Sequence, residues 1–219
     1  IVHGAGSFGH PIVSRTEIHR GISRPGQLLA FAETQRWQNH WNVLITTALQ
    51  REGLAAIPCQ ASSHAVMEAG RLVWMPLDAI RGLLGIGLVP VMYGVPAYDR
   101  VQKCSILSGD QIVPYLAREL GAERIIHGTD VDGVFTEDPA VNPEAKLIRE
   151  VTSSNIGEVE KCLRESSQVD VTGGMLRKVM ELMDLARLGI ESEILNANRV
   201  GVVGRALSGE RGLGTIIRL

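Results

Sequence analysis

The chain has 219 residues, 45% of them hydrophobic and 21% charged, with a formal net charge of −2 and a pI near 6.3. This is an ordinary globular composition, long enough for one large domain or two small ones, and it lacks the basic excess of a nucleic-acid scaffold. Three scattered cysteines, Cys59, Cys104 and Cys162, form no C-x-x-C pair and read as free thiols of a reducing compartment, not as a disulfide framework or a zinc site.

The chain opens on Ile1-Val2-His3, which reads as the tail of a buried strand, and runs into Gly4-Ala5-Gly6-Ser7-Phe8-Gly9-His10. Glycines at a strand end let bare backbone N–H groups approach an anion, and a closing histidine can donate to a phosphate oxygen. A tight turn with a solvent-facing histidine accounts for the same residues. Residues 27–52 carry apolar side chains at Leu28, Phe31, Trp37, Trp41, Leu44, Ile45, Ala48 and Leu49, a helical spacing closed by Gly53. Trp37 and Trp41, one turn apart, suit a core, an interface or the roof of an apolar pocket. Strands are expected over 54–59 and 71–74, a helix from Pro76 to near Gly85, and a buried strand over 88–93. The longest uncharged run, 82–98, is broken by Gly85, Gly87, Pro90, Gly94 and Pro96, so it does not read as a membrane span. With no signal peptide visible either, a cytoplasmic protein is expected.

After a polar excursion over 99–103, a helix is expected from Asp110 to near Gly121, then a strand over 124–127. Ser108-Gly109-Asp110 suits either a plain helix cap or close approach of a phosphate to a helix N-terminus. The run from Thr129 to Pro139 is dense in polar turn residues; it reads as a hairpin around Asp132-Gly133, as the border of a nucleotide pocket, or as both. Its aspartates lack the terminal glutamate of a calcium loop. A short strand over 147–151, a helix over 153–166, a strongly amphipathic helix over 175–188, and strands over 191–195 and 215–219 complete the pattern. Thr172-Gly173-Gly174 leads into that amphipathic helix and places Lys178 near a glycine-lined helix start, an arrangement suited to β- and γ-phosphates. It is not a Walker A loop. Alternating strands and helices with short links predict an α/β fold with a parallel or mixed sheet covered on both faces. Three phosphate-suited glycine motifs in one chain point to phosphoryl transfer.

Taken together, Thr172-Gly173-Gly174-Met175 with Lys178, the Thr129–Pro139 run, and the glycine run closed by His10 resemble the amino acid kinase superfamily over nearly the whole chain. Within it, His3–His10 and Ser108-Gly109-Asp110 look most like the kinases of isopentenyl phosphate, and the fosfomycin kinases share much of the first run. The resemblance implies an αβα sandwich with a central, mainly parallel sheet, a single domain over 1–219, and a homodimer. Residues 1–120 would mainly bind a small-molecule phosphate acceptor and 121–219 mainly ATP, with no nucleic-acid or membrane partner. His10 would hydrogen-bond the acceptor phosphate, with Ala5, Gly6 and Gly109 lining the same site through backbone. Gly6 would also approach the transferring phosphoryl. Thr129, Asp130, Phe135 and Asp138 would border the nucleotide, while Gly174 and Lys178 would hold ATP phosphates. Asp110 would orient cationic groups, so His10, Lys178 and Asp110 form the expected catalytic set. Mg²⁺ would bridge phosphates, and no metal-ligating residue of the chain is assigned. A related kinase of another small acceptor and a non-catalytic nucleotide-binding module are the alternatives.

Two departures accompany the likeness. The superfamily begins with a strand and a Lys-x-Gly-Gly-Ser loop, and nothing like it precedes Ile1, so roughly forty preceding residues are expected from the size of a first βα unit. Ala5 stands where glycine is usual, and its methyl is expected to crowd backbone approach.

Overall fold

The computed structural model describes residues 1–166 and 174–219, which divide into two compact units, Ile1–Tyr115 and Leu116–Leu219.

The first unit opens with β1 (Val2–His3) and α1 (Gly6–Thr16), followed by the long α2 (Gln27–Arg51) and β2 (Ala56–Pro58). A hairpin of β3 (Val66–Glu68) and β4 (Arg71–Trp74) precedes α3 (Asp78–Gly85), then β5 (Val89–Tyr93), β6 (Val95–Asp99) and β7 (Lys103–Leu107). β1, β5 and β2 form an all-parallel ladder in the order β1-β5-β2, and β4-β3-β6-β7 form a second, mixed sheet. The apolar β5 is buried through Val91, Met92 and Tyr93, as its unbroken hydrophobic run requires. α4 (Gly109–Leu120) begins at the end of this unit.

Three features of this unit depart from the sequence reading. The run expected as a glycine loop is mostly helix, since α1 starts at Gly6 and carries Pro11 within it. Packing on α2 accounts for the glycine within α1: a Cβ at Gly9 would lie 2.4 Å from Gln38 Nε2, so a larger residue would have to displace the amide that donates to Ala5 O. The polar excursion over 99–103 is instead the turn of the β6–β7 hairpin. Asp99, fully buried, accepts the N–H groups of Ala69, Gly70, Val101 and Gln102 and the Ser105 hydroxyl. Burial pushes its carboxyl up, but those donors outweigh the penalty and hold it well below the usual range. Finally, the apolar positions that reveal α2 are not the ones it buries. The buried stripe is Ala30, Thr34, Gln38, Asn42 and Thr46, at every fourth position, whereas Leu28 and Leu29 are 72% and 73% exposed.

The second unit contains β8 (Arg124–Thr129), β9 (Val134–Phe135), β10 (Leu147–Ile148), β11 (Glu150–Val151), α5 (Ile156–Ser166), α6 (Gly174–Ala186), β12 (Glu191–Asn196), α7 (Val202–Leu207) and β13 (Thr215–Ile217). Its main sheet runs β11-β13-β12-β8, with β12 parallel to β8 over six residue pairs and antiparallel to β13. α6 buries Val179, Leu182, Met183, Leu185 and Ala186, the face its periodicity predicts. Buried Glu193 receives Arg124 and the N–H groups of Leu213 and Gly214, so the carboxylate is compensated from both sides.

The hairpin expected around Asp132-Gly133 is displaced: β9 pairs with β10 across residues 136–146. Residues 147–151 are likewise not one strand. Leu147–Ile148 pair with β9, and Glu150–Val151 pair with β13.

Candidate active site

In the first unit, the functional candidates gather at the carboxyl end of β1, the edge where open parallel sheets receive ligands. The chain leaves His3, passes Gly4 and Ala5, and enters α1, whose first N–H groups lack intrahelical acceptors. Gly6 has φ +51 and nothing within 4 Å of a Cβ built on it, so the backbone there is both left-handed and open. Ala5 is in the right-handed helical region (φ −74, ψ −27), a conformation in which a methyl is unstrained. His10 is exposed one helical turn beyond Gly6, on the same side of α1.

α4 brings a second helix start to this point. A Cβ on Gly109 would lie 3.4 Å from Val2 Cγ1 and 3.8 Å from the His3 carbonyl oxygen. Gly94, known from the sequence only as a break in the uncharged run, donates its N–H to that His3 carbonyl at 3.2 Å, and its own Cβ would lie 3.3 Å from Gly109 N. Backbone therefore meets backbone at three places, with Asp110 half-buried in the first turn of α4. Beside them, Phe8 stacks on Trp41 at 4.9 Å, and Trp37 lies 6.3 Å from Phe8 with Arg36 over its outer face at 4.7 Å. The two tryptophans thus form an aromatic cluster against α1.

In the second unit the candidates lie around the carboxyl ends of the parallel pair β8 and β12, where Thr129 is in register with Asn196. The Thr129 hydroxyl donates to Val131 O at 2.8 Å, while Asp130 is exposed. Asp132 accepts Asn196 Nδ2 at 2.9 Å and pairs with Arg199, tying the two strand ends together. Gly133 (φ +147) and Gly214 are forced: a Cβ at 133 would meet Thr215 Oγ1 at 2.4 Å, and one at 214 would meet Ile194 O at 1.9 Å. Phe135 is half-buried in β9, and exposed Asp138 accepts Ala140 N at 2.9 Å within its own turn.

Gly174 begins α6 among the described residues; Thr172 and Gly173 lie outside them. Lys178 is the fifth residue of α6, one turn in from Gly174. Its Nζ lies 2.6 Å from His127 Nε2 on β8, two residues before Thr129 on the same face of the strand. His127 received no role from the sequence. The usable signal was its place near the end of a parallel strand, and the same holds for Asn196.

Residues 1–196 match the amino acid kinase family. The isopentenyl phosphate kinase of Methanothermobacter thermautotrophicus is 42% identical over 99% of this chain and 83% of its own length. That of Arabidopsis thaliana is 34% identical over the whole chain and 72% of its length. Among solved structures, an isopentenyl phosphate kinase with 38% identity superposes with a TM-score of 0.85, covering 99% of this chain and 82% of that one. The chain belongs to the amino acid kinase family, with the α/β fold of mainly parallel sheets and helices that its isopentenyl phosphate kinase relatives share.

Proposed function

We propose that this protein transfers the γ-phosphoryl group of ATP to isopentenyl phosphate, giving isopentenyl diphosphate and ADP. The observation that carries the reading is whole-chain likeness to isopentenyl phosphate kinases at 42% identity, joined to a histidine-bearing helix start at the carboxyl end of β1. The acceptor phosphate would be met by the unpaired N–H groups at the start of α1 around Ala5 and Gly6, by the Gly109 backbone, and by the His10 imidazole. Asp110 would orient cationic groups around the transferring phosphoryl. Isopentenyl phosphate also needs an apolar surface, and Phe8, Trp37 and Trp41 supply one beside α1.

The second unit fits ATP in the chemistry of its donors. Lys178 supplies a cation at the end of β8, Thr129, Asp130, Phe135 and Asp138 border the nucleotide, and Gly174 permits close approach of phosphates to α6. Mg²⁺ bound to the phosphates would neutralise charge as transfer proceeds. Catalysis by the chain itself is then positioning and electrostatics: His10 holds the attacking phosphate and Lys178 stabilises the transferring one. On this reading 1–120 serves mainly the acceptor and 121–219 mainly ATP. We further infer a homodimer, for which Leu28, Leu29, Val43 and Leu44 on α2 offer exposed apolar surface, and a cytoplasmic setting consistent with three free cysteines.

ADP release from Mg·ATP with isopentenyl phosphate, run against fosfomycin and UMP, tests the proposal. Turnover confined to isopentenyl phosphate is expected. Turnover on fosfomycin or UMP alone, or ATP binding without any transfer, overturns it.

A further inference from the structure

Two successive carbonyls of the Gly4-Ala5 link are held by side chains. His3 Nδ1 lies 2.9 Å from Gly4 O, and Gln38 Nε2 donates to Ala5 O at 3.1 Å. A carbonyl can only accept, so His3 Nδ1 carries the proton. The other ring nitrogen, Nε2, lies 3.0 Å from Asn42 Nδ2, which also donates to Val91 O at 3.0 Å. That second bond fixes which end of the Asn42 amide faces His3, so Nε2 must be the acceptor. The surroundings thus specify one neutral tautomer, a second constraint that a merely space-filling ring would not need. The ring plane is fixed too, stacked on Tyr93 at 5.4 Å and edge-on to Trp41 at 6.1 Å.

Gln38 and Asn42 belong to the buried polar stripe of α2 and are 0% and 1% exposed. Gln38 Oε1 and Asn42 Oδ1 are buried and have no hydrogen-bond partner among the described residues. An apolar side chain at either position would carry no unpaired amide oxygen of its own. Both amides instead spend their donors on the segment around the strand end: Asn42 on His3, and Gln38 directly on Ala5.

We infer that His3 and Gln38 are positioning residues, which turn the Gly4 and Ala5 carbonyls inward and so set the backbone at the start of α1 for an anionic acceptor. Neither side chain touches the acceptor; both act through the backbone between them. Loosening the link should therefore spoil acceptor capture and leave nucleotide capture intact.

The inference rests on the acceptor site proposed above, and its test separates the two. In the full-length protein, His3→Phe removes both ring hydrogen bonds, His3→Asn keeps a donor near the Nδ1 position, and Gln38→Met removes the second anchor at similar volume. For wild type, absence of turnover on isopentenyl phosphate refutes the acceptor reading. Independently, backbone amide exchange across 4–8 reads the positioning itself. His3→Phe and Gln38→Met are each expected to speed that exchange and to raise the acceptor KM by roughly tenfold, with the ATP KM within about twofold. His3→Asn is expected to recover much of the loss. Unchanged exchange across 4–8 in both variants overturns the inference whatever the activity. So does a parallel rise in both KM values with a fall in melting temperature, the mark of a generally loosened fold. Should His3→Phe not fold, Gln38→Met and His3→Asn carry the same readouts.

Discussion

The two units bring polar chemistry to strand ends by opposite means. At the carboxyl end of β1 the first unit presents backbone: the His3 carbonyl, Gly94 and Gly109 crowd together, and side chains enter chiefly to hold carbonyls in place. At the ends of β8 and β12 the second unit presents side chains, with Lys178 beside His127, and Asp132 bridged to Asn196 and Arg199. Backbone donors are fixed in direction and cannot follow a ligand, so they suit a small, repeatedly used phosphate. Long cationic side chains can swing, which suits a polyphosphate whose charge moves during transfer. Glycine accordingly means different things in the two places: open space at Gly6, and a forced backbone crossing at Gly214.

The sharpest way to break this contrast is to add one methyl group in each unit. Gly214→Ala sets a Cβ 1.9 Å from Ile194 O, where backbone must shift, and should destabilise the protein by about 3 kcal/mol. A fall in the urea midpoint at unchanged slope would register it, and a midpoint equal to wild type would deny the crossing. Gly6→Ala meets nothing within 4 Å and has only its left-handed φ to resist, so about 1 kcal/mol is expected, with the acceptor KM rising out of proportion.

The side-chain half of the comparison predicts a division of kinetic effects. On the proposed reading, in which His10 holds the acceptor phosphate, His10→Ala should lower kcat/KM for the acceptor by roughly 10- to 150-fold, equivalent to about 1.5–3 kcal/mol. Lys178→Ala should fall chiefly on ATP. Steady-state kinetics with each substrate varied in turn decides the matter: an effect of Lys178→Ala confined to the acceptor KM would exchange the roles given to the two units.

Which of these features the sequence discloses depends on whether apolar pattern or polar burial specifies them. β5 and α6 were legible because their buried residues are the apolar ones, and α4 and β12 were placed too although Gln111, Ser192 and Glu193 are buried among their apolar residues. α1 was not, since Gly6, Gly9 and Pro11 are loop signals locally, and the demand for Gly9 comes from Gln38 on another helix. α2 was placed to within a residue, yet its buried stripe was hidden. Thr34, Gln38, Asn42 and Thr46 are polar, and each is buried only because its side chain reaches a carbonyl: Ala30 O, Ala5 O, Val91 O and Asn42 O in turn. The β6–β7 hairpin escaped notice for the same reason, because Asp99 reads as a surface residue until its donors are known. At the sites, glycine runs and Lys178 stood out by residue type. His127, Asn196 and Gly94 are ordinary residues whose meaning comes from the strand ends they occupy.

The smallest effect expected concerns His3, where the backbone-held site depends on a titratable ring. Burial pulls the His3 pKa below its ordinary value of 6.5, with the Gly4 carbonyl opposing, so the folded state holds the ring neutral. Between the folded and unfolded pKa values the unfolded chain binds more protons, and stability therefore rises with pH in that window. The contribution is fully present above 6.5 and is lost as pH falls through the folded value. Protonation would also set an N–H on Nε2 against the Asn42 amide, breaking that contact first. Melting temperatures of wild type and His3→Asn, measured from pH 8 to pH 5, isolate this group, because the other titrating residues are common to both proteins. The gap between them should be wider at pH 8 and narrow on acidification. A gap independent of pH would mean that the ring's neutrality contributes nothing to the strand end it holds, and that the carbonyl of Gly4 is kept in place by packing on Tyr93 and Trp41 alone.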